Sequence, residues 1–472
     1  MEKTGGPHKL SVFTLMMINV AAVFSLRTLP GLAEYGYALI AYISLAALCF
    51  FIPSALVSAE LASGWQGEGG VYLWVKEAFG PKWGFLAIFM QWVENLPWFP
   101  TVLAFAASAL AYSFKPDLAE NKVFVLGVIW AALWLGTWLN FRGMKWSAFL
   151  SSSGVLVGTI IPGAVIIALG ADRMASGDVP AIPFTAKSLL PDLHNLDQLM
   201  LLAAMLISFV GMEMSASHVN DVKNPARTYP RAIFGACVLI IILSIFGSLA
   251  IALVIPPAHL SLSAGVCQAF DALFRLHNES WMTVPVCLLM AYGALTMVIT
   301  WMAGPAKGML AVAQEGYLPP RWQRVDRNGM PSGIMIAQAV LSSVLSCVIL
   351  FMPSVSSAFM LMSALAVQLY LVTYILLFAA VIRLRYTHPE VDRKYRVPGG
   401  KVGIWLVGGV ALLTSLFVII VGFIPPTSVR QEGLFAATHY ILFLLVGLVV
   451  FTALPLLFYA RAIRIRKAGI QA

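Results

Sequence analysis

Apolar stretches of roughly 20 residues, the length a helix needs to cross a bilayer, recur about a dozen times along this chain. No other feature limits its fold as strongly. In the first half they run Val12 to Glu34, Ile40 to Leu61, Trp83 to Phe114, Val123 to Leu139, Ala148 to Leu169 and Leu199 to Ser217. In the second half they run Ile233 to Ile255, Met282 to Val312, Ile334 to Met352, Ala358 to Ile382, Ile404 to Ile424 and His439 to Leu457. Backbone groups in hydrocarbon need internal partners, which leaves helices or closed barrels. Barrel strands are short and alternate in polarity, whereas these runs are long and continuous. The residues are 60% hydrophobic and 11% charged, against about 25% charged in soluble domains. The sequence therefore predicts an all-α membrane protein with 12 transmembrane helices.

Charge orients the spans. Lys3 and Lys9 precede the first apolar run, but no clean small-residue cleavage motif follows, so the run reads as a retained helix. With both termini in the cytoplasm, 22 of the 30 Lys and Arg residues fall on that side and 6 on the other. This is the positive-inside bias. Arg27 and Lys307 lie within spans. The densest basic cluster is Arg383, Arg385, Arg393, Lys394, Arg396 and Lys401, and topology explains it without a nucleic-acid partner. Five cysteines without a CxxC pair imply neither a zinc site nor a disulfide framework. No metal or cofactor is expected.

Two spans are interrupted by polar or helix-breaking residues. Span one carries Ser25, Arg27, Thr28, Pro30 and Gly31 at mid-depth, and Pro30 disfavours helical geometry at Leu29. Span six carries Gly211 followed by Glu213, a carboxylate that is costly in mid-span unless it lines a cavity. Paired breaks in spans one and six point to a substrate site between two repeats. Free N–H groups at such a break favour a carboxylate, and free C=O groups an ammonium. Kinked structural helices would give the same residues singly.

The stretch Gly211 to Ala232 (GMEMSASHVNDVKNPARTYPRA) resembles the helix-six signature of the amino acid–polyamine–organocation superfamily, and most of all its glutamate/γ-aminobutyrate antiporters. Pro53 to Ala62 (PSALVSAELA) resembles the family's helix two, and Gly67 to Val75 (GEGGVYLWV) its first cytoplasmic loop. Gly304 to Met309 with Leu318-Pro319 resembles the end of helix eight, and Pro389 to Gly400 the loop after helix ten. The resemblance implies a 5+5 inverted-repeat core plus two added helices, working by alternating access in a bacterial inner membrane. The corresponding divisions are 1–10 (N-terminus), 11–171 and 199–382 (the repeats), 172–198 (outer loop), 383–401 (basic loop), 402–459 (added helices) and 460–472 (basic tail). The expected function is secondary active transport of acidic or neutral amino acids, by exchange or proton-linked uptake. A cationic amino acid or polyamine is the alternative substrate class, and a membrane-embedded enzyme or nutrient receptor the non-transport one.

Residue by residue, the resemblance implies that Val23, Phe24 and Ser25 hold the substrate carboxylate with their amides. Phe209, Val210 and Gly211 take its amino group with their carbonyls. Glu213 matches an acidic gating or recognition residue, and Tyr374 a helix-ten tyrosine near the pathway. Three residues depart from the pattern: Arg27 replaces an aromatic, Glu94 an uncharged side chain, and Ser152 a lysine of several relatives. Arg27 reads as a ligand for an anionic substrate group or as a structural partner of Glu34 or Glu94. Glu94, with Gln91 and Asn95 beside it, reads as site lining or as a polar network. Ser151, Ser152, Ser153, Thr296 and Thr300 have the oxygens for a cation site, though such residues also pack helices closely. His218 reads as a capping or titrating group. Glu60 and Lys307 read as snorkelling or inner-gate residues. Trp83, Trp146 and Tyr440 read as interface-belt aromatics.

Overall fold

The computed structural model describes residues 11–65, 69–176, 182, 185–189, 208–214, 225–426, 429–430 and 433–468. All regular structure among them is helical. In chain order the main helices are α1 (Val12–Val23), α2 (Leu26–Ala33), α3 (Gly36–Gly64), α4 (Val71–Phe79), α5 (Pro81–Phe114), α6 (Lys122–Asn140) and α7 (Ser152–Ala175). Then come α8 (Pro225–Ala252), α9 (Gly265–Leu276), α10 (Thr283–Gln314), α11 (Ser332–Phe351), α12 (Val355–Thr387), α13 (Gly400–Val421) and α14 (Leu434–Lys467). Ten of the described helices are long and apolar enough to cross a membrane. The pair α1 and α2, bent by 44° at its break, passes the same test when counted as one span. Of the expected sixth span, only 208–214 lies within the described residues.

Composition explains how these helices face their surroundings. On α13, Val402, Leu406, Leu413 and Ile420 are exposed, and on α14 so are Leu442, Leu445, Val446 and Val449. An apolar stripe of that size on a helix exterior fits lipid rather than water. Glycines stand at the closest inward-facing contacts. Gly158 of α7 lies against Gly293 of α10, where a Cβ built on Gly158 would stand 2.4 Å from the Gly293 Cα. Membrane helices lack a hydrophobic drive to associate, so close backbone approach and van der Waals packing hold them.

Prolines shape several spans. The π-turns at Ala47–Phe51 and Leu156–Ile160 each precede a proline, Pro53 and Pro162. Each proline lacks the N–H for the carbonyl four residues back, and the helix widens there. In α5 a turn at Glu94 separates Pro81–Val93 from Asn95–Phe114, with Pro97 and Pro100 just beyond. The π-turn Trp405–Gly409 instead ends in a glycine pair.

The structure corrects several expectations. Leu29 is helical (φ −60°, ψ −39°), because α2 opens as a 3₁₀ turn at Leu26–Thr28 and Pro30 falls in the first turn of its α-helical part, Leu29–Ala33, where no N–H is required. The break lies earlier, at extended Phe24 and Ser25. Tyr440 does not belong to an interface belt. It is buried, lines the central cavity, and its hydroxyl points to the Gly422 carbonyl at 3.4 Å. The basic residues 461–467 continue α14 as helix.

Candidate functional site

The α1–α2 break starts where Phe24 turns extended and its amide bonds back to the Val20 carbonyl at 2.8 Å. The chain re-enters a helix at Leu26, so the first amides of α2 have no intrahelical acceptor. Thr28 closes the turn, donating to the Ser25 carbonyl from its hydroxyl at 2.8 Å and its amide at 3.2 Å.

The stretch Ser208 to Gly211, non-helical within the described residues 208–214 and at the position of the expected second break, packs against the end of α1. Gly211 has φ +113°, a backbone conformation few other residues adopt. A side chain there would also meet the Ala22 carbonyl at 3.0 Å and the Trp301 ring at 3.2 Å. Tyr374 and Tyr370, four apart on one face of α12, fix this segment. The Gly211 amide donates to the Tyr374 hydroxyl at 2.8 Å, and that hydroxyl donates to Glu213 Oε2 at 2.5 Å. Tyr370 donates to Glu213 Oε1, and Gln91 of α5 donates to the same oxygen at 3.2 Å. Glu213 thus fastens the second break to α12 and α5.

Beside the two breaks is a cavity of about 620 Å³, within the usual range for small-molecule sites. Its wall includes Val23, Ser25, Arg27, Glu34, Glu94 and Val210. Trp98, Trp301, Tyr370 and Phe359 give it aromatic surfaces. Phe24, Phe209, Gly211, Glu213 and Tyr374 are buried behind this wall, with Phe209 stacked on Phe51 at 4.9 Å. The described lining runs from mid-depth to one end of the bundle, where Leu260, Leu262, Ser354 and Pro426 contribute. That end also carries α9.

The charges in this cavity are unusual. The Arg27 guanidinium lies 5.5 Å from the Trp98 ring and 5.8 Å from the Phe359 ring. Among the described residues it forms neither an ion pair nor a hydrogen bond, and its Nε is buried without a partner. Glu94 is 3% exposed, faces the same cavity and feels the Arg27 charge, yet its carboxylate has no hydrogen-bond donor among the described residues. The structural Arg27–Glu34 or Arg27–Glu94 contact considered from sequence is not formed. Asn95 turns away from the cavity and donates to the Gln91 carbonyl at 2.9 Å.

Sequence reasoning missed Tyr370, Trp98 and Phe359. The four-residue spacing of Tyr370 and Tyr374 was the available signal for the first. Nothing local marks the other two as a cradle for Arg27. Three of the five side chains considered for a cation are engaged elsewhere. Thr296 donates to the Gly293 carbonyl at 2.9 Å, Thr300 to the Thr296 carbonyl at 2.9 Å, and Ser153 shares a 2.7 Å hydrogen bond with Tyr292. No group of three or more metal-ligating side chains occurs among the described residues.

The opposite, basic end is tied by two acid-centred clusters. Glu60 of α3 is fully buried and pairs with Arg385 of α12. It also accepts the Val397 amide at 2.8 Å and lies 3.6 Å from Arg393. Burial lowers the Arg393 pKa, and burial together with the Glu60 charge pushes the Tyr395 hydroxyl up to about 12. Glu315 accepts from Lys76 at 2.8 Å and from the Tyr72 hydroxyl at 2.6 Å, joining α10 to α4. Burial and this bond raise the Tyr72 pKa well above the usual tyrosine range. Arg466 of α14 donates to the Glu315 carbonyl oxygen. Lys307 is exposed on α10, away from the cavity. His218 lies outside the described residues.

Comparison with known proteins gives these features a family. Residues 10–449 match the family model described as amino acid permease. The chain is 43% identical over 449 residues to an uncharacterized transporter of Legionella pneumophila, covering 95% of this chain and 96% of that one. It is 31% identical to a glutamate/gamma-aminobutyrate antiporter of Lactococcus lactis, covering 96% of this chain and 90% of the relative. It is 23% identical to a probable agmatine/putrescine antiporter of the same species, over 84% and 83% of the two chains. A broken helix beside a second non-helical stretch, a central cavity, many spanning helices and this similarity across nearly the whole length agree: the chain belongs to the amino acid permease family of integral membrane transporters, not to the enzymes.

Proposed function

We propose that this protein is a secondary active amino acid transporter that works by exchange or proton-linked uptake. Its substrates are acidic or neutral amino acids such as glutamate and γ-aminobutyrate. One observation carries the reading. Arg27 and Glu94 are opposite charges on one cavity wall, and neither is neutralised by an ion pair among the described residues. Holding such charges inside a membrane protein is costly. A ligand with one carboxylate and one ammonium would neutralise both. The glutamate/gamma-aminobutyrate antiporter relative supports the same substrate class.

The remaining features follow from this proposal. Twelve spans form two inverted five-helix repeats plus two helices, with the breaks in spans one and six at the substrate site. The basic end faces the cytoplasm, as do both termini, in a bacterial inner membrane. The cavity then extends outward, and the Glu60 and Glu315 clusters close the inner side. Transport proceeds by alternating access, through differential binding in two states.

A second reading, exchange of cationic amino acids or polyamines, draws support from Glu34 and Glu94 on the same wall and from the agmatine/putrescine antiporter relative. Counterflow in proteoliposomes separates the two. Vesicles loaded with unlabelled glutamate or γ-aminobutyrate should accumulate labelled glutamate. Accumulation of labelled arginine or putrescine, with none of glutamate or γ-aminobutyrate, would overturn the first reading and establish the second.

A further inference from the structure

The spacing of the cysteines implies no disulfide framework, yet the fold brings two of them together. Cys267 belongs to α9 and Cys287 to the start of α10. Both are unbonded thiols, both are fully buried, and their side chains are in contact. Tyr112 of α5 lies beside the two.

The place of α9 gives this contact its interest. With 12 residues the helix is too short to cross a bilayer. It sits at the cavity end of the bundle and touches α2, α5, α7, α8 and α10. One face, with Val266, Phe270 and Leu273, is buried, whereas Arg275 and Leu276 at its end are exposed. The residues entering α9 form part of the cavity rim. Leu260 and Leu262 line the cavity, and a Cβ built on Gly265 would stand 2.8 Å from Pro30 of α2. Whatever fixes α9 therefore also fixes the rim beside the broken first span.

We propose that Cys267 and Cys287 form a disulfide that fastens α9 to α10 and holds the rim of the cavity. This rests on the proposed orientation, which puts that end of the bundle outside the cytoplasm, where disulfides persist. The chemistry is exchange with a disulfide oxidant, either a small molecule or a protein. One cysteine attacks the oxidant as thiolate, forming a mixed disulfide and releasing one thiol. The second cysteine attacks that bond and releases the other thiol. One S–S bond joins the chain, and the oxidant leaves as two thiols carrying the two electrons and two protons. The first attack needs a thiolate that the oxidant can reach, and docked α9 covers both sulfurs. It therefore takes place before α9 docks during folding, or while α9 is lifted by local opening. The second attack needs only the contact that docking creates.

The test uses the full chain, taken from membranes by denaturation in N-ethylmaleimide, which traps thiols, and digested without reductant. Mass spectrometry should find Cys267 and Cys287 in linked peptides that dithiothreitol separates. In the folded protein, reduction should speed hydrogen exchange in α9 on the order of 30-fold, the low end of a typical disulfide's contribution. Cys267→Ala and Cys287→Ala should each show the fast exchange with or without reductant, and Cys49→Ala should keep the native difference. If the chain is isolated with both thiols reduced but oxidised glutathione then links them, the pair stands and the outward orientation falls. No link under either condition would overturn the proposal. So would a link to another cysteine, or exchange in native α9 that reduction leaves unchanged.

Discussion

The hydroxyl of Tyr374 accepts the amide hydrogen of Gly211 at 2.8 Å, so a side chain of α12 completes the backbone of the second helix break. The same hydroxyl donates to Glu213. Tyr374→Phe removes both bonds and leaves a buried amide and a buried carboxylate under-satisfied. The expected cost is about 1 to 3 kcal/mol. Thermal unfolding in detergent measures it. A midpoint equal to that of the native protein would show that the bonds to Tyr374 hold nothing in place.

Arg27 should behave in the opposite way. It has no ion-pair or hydrogen-bond partner among the described residues, so Arg27→Met removes a poorly compensated charge. The variant without substrate should be at least as stable as the native protein, while the stabilisation produced by added substrate disappears. Arg27→Lys should lose most of that ligand response as well, because a compact ammonium cannot reproduce the planar donor fork that the guanidinium presents beside Trp98 and Phe359. Melting curves with and without substrate decide this. Loss of stability in the substrate-free variant would mark Arg27 as structural.

Glu60 has the signature of a structural charge. Glu60→Ala would strand Arg385 and the Val397 amide around a buried site. Breaking such a pair by removing one partner costs about 3 to 5 kcal/mol. Adding Arg385→Met should restore part of the loss. A double variant with strictly additive losses would mean that the two side chains do not interact.

Gly158→Ala tests the contact between α7 and α10. The new methyl would lie 2.4 Å from the Gly293 Cα, with backbone rather than a movable side chain in its way. Overpacking of this kind costs about 1 to 3 kcal/mol. Lower yield of folded protein and a lower unfolding midpoint should follow. Gly127→Ala, which meets nothing within 4 Å, is the matched control and should be silent.

These contrasts show what was legible in the sequence. Hydropathy located the ten spanning helices among the described residues because the bilayer fixes both length and polarity, and Ser25 announced the break between α1 and α2 as a helix-weak residue in an apolar run. Pro30 misled, since a proline breaks a helix interior but is tolerated in a first turn, and only the fold shows which turn it occupies. Arg27 and Glu94 stood out by cost alone. Their environment did not, because Trp98 and Phe359 reach Arg27 from helices far apart in sequence. Tyr440 was misplaced for the related reason that an amphipathic aromatic near a span end fits a lipid interface or a cavity equally well.

Helix α12 joins three of these places on one rod of 33 residues. Ser354, Phe359 and Ser363 at or near its start border the cavity, Tyr370 and Tyr374 hold the second break, and Arg385 near its end holds Glu60. From Tyr370 to Arg385 the axis covers about 22 Å. Tilting this lever at either end moves the other, so the mouth of the cavity, the break and the far seal form one mechanical unit.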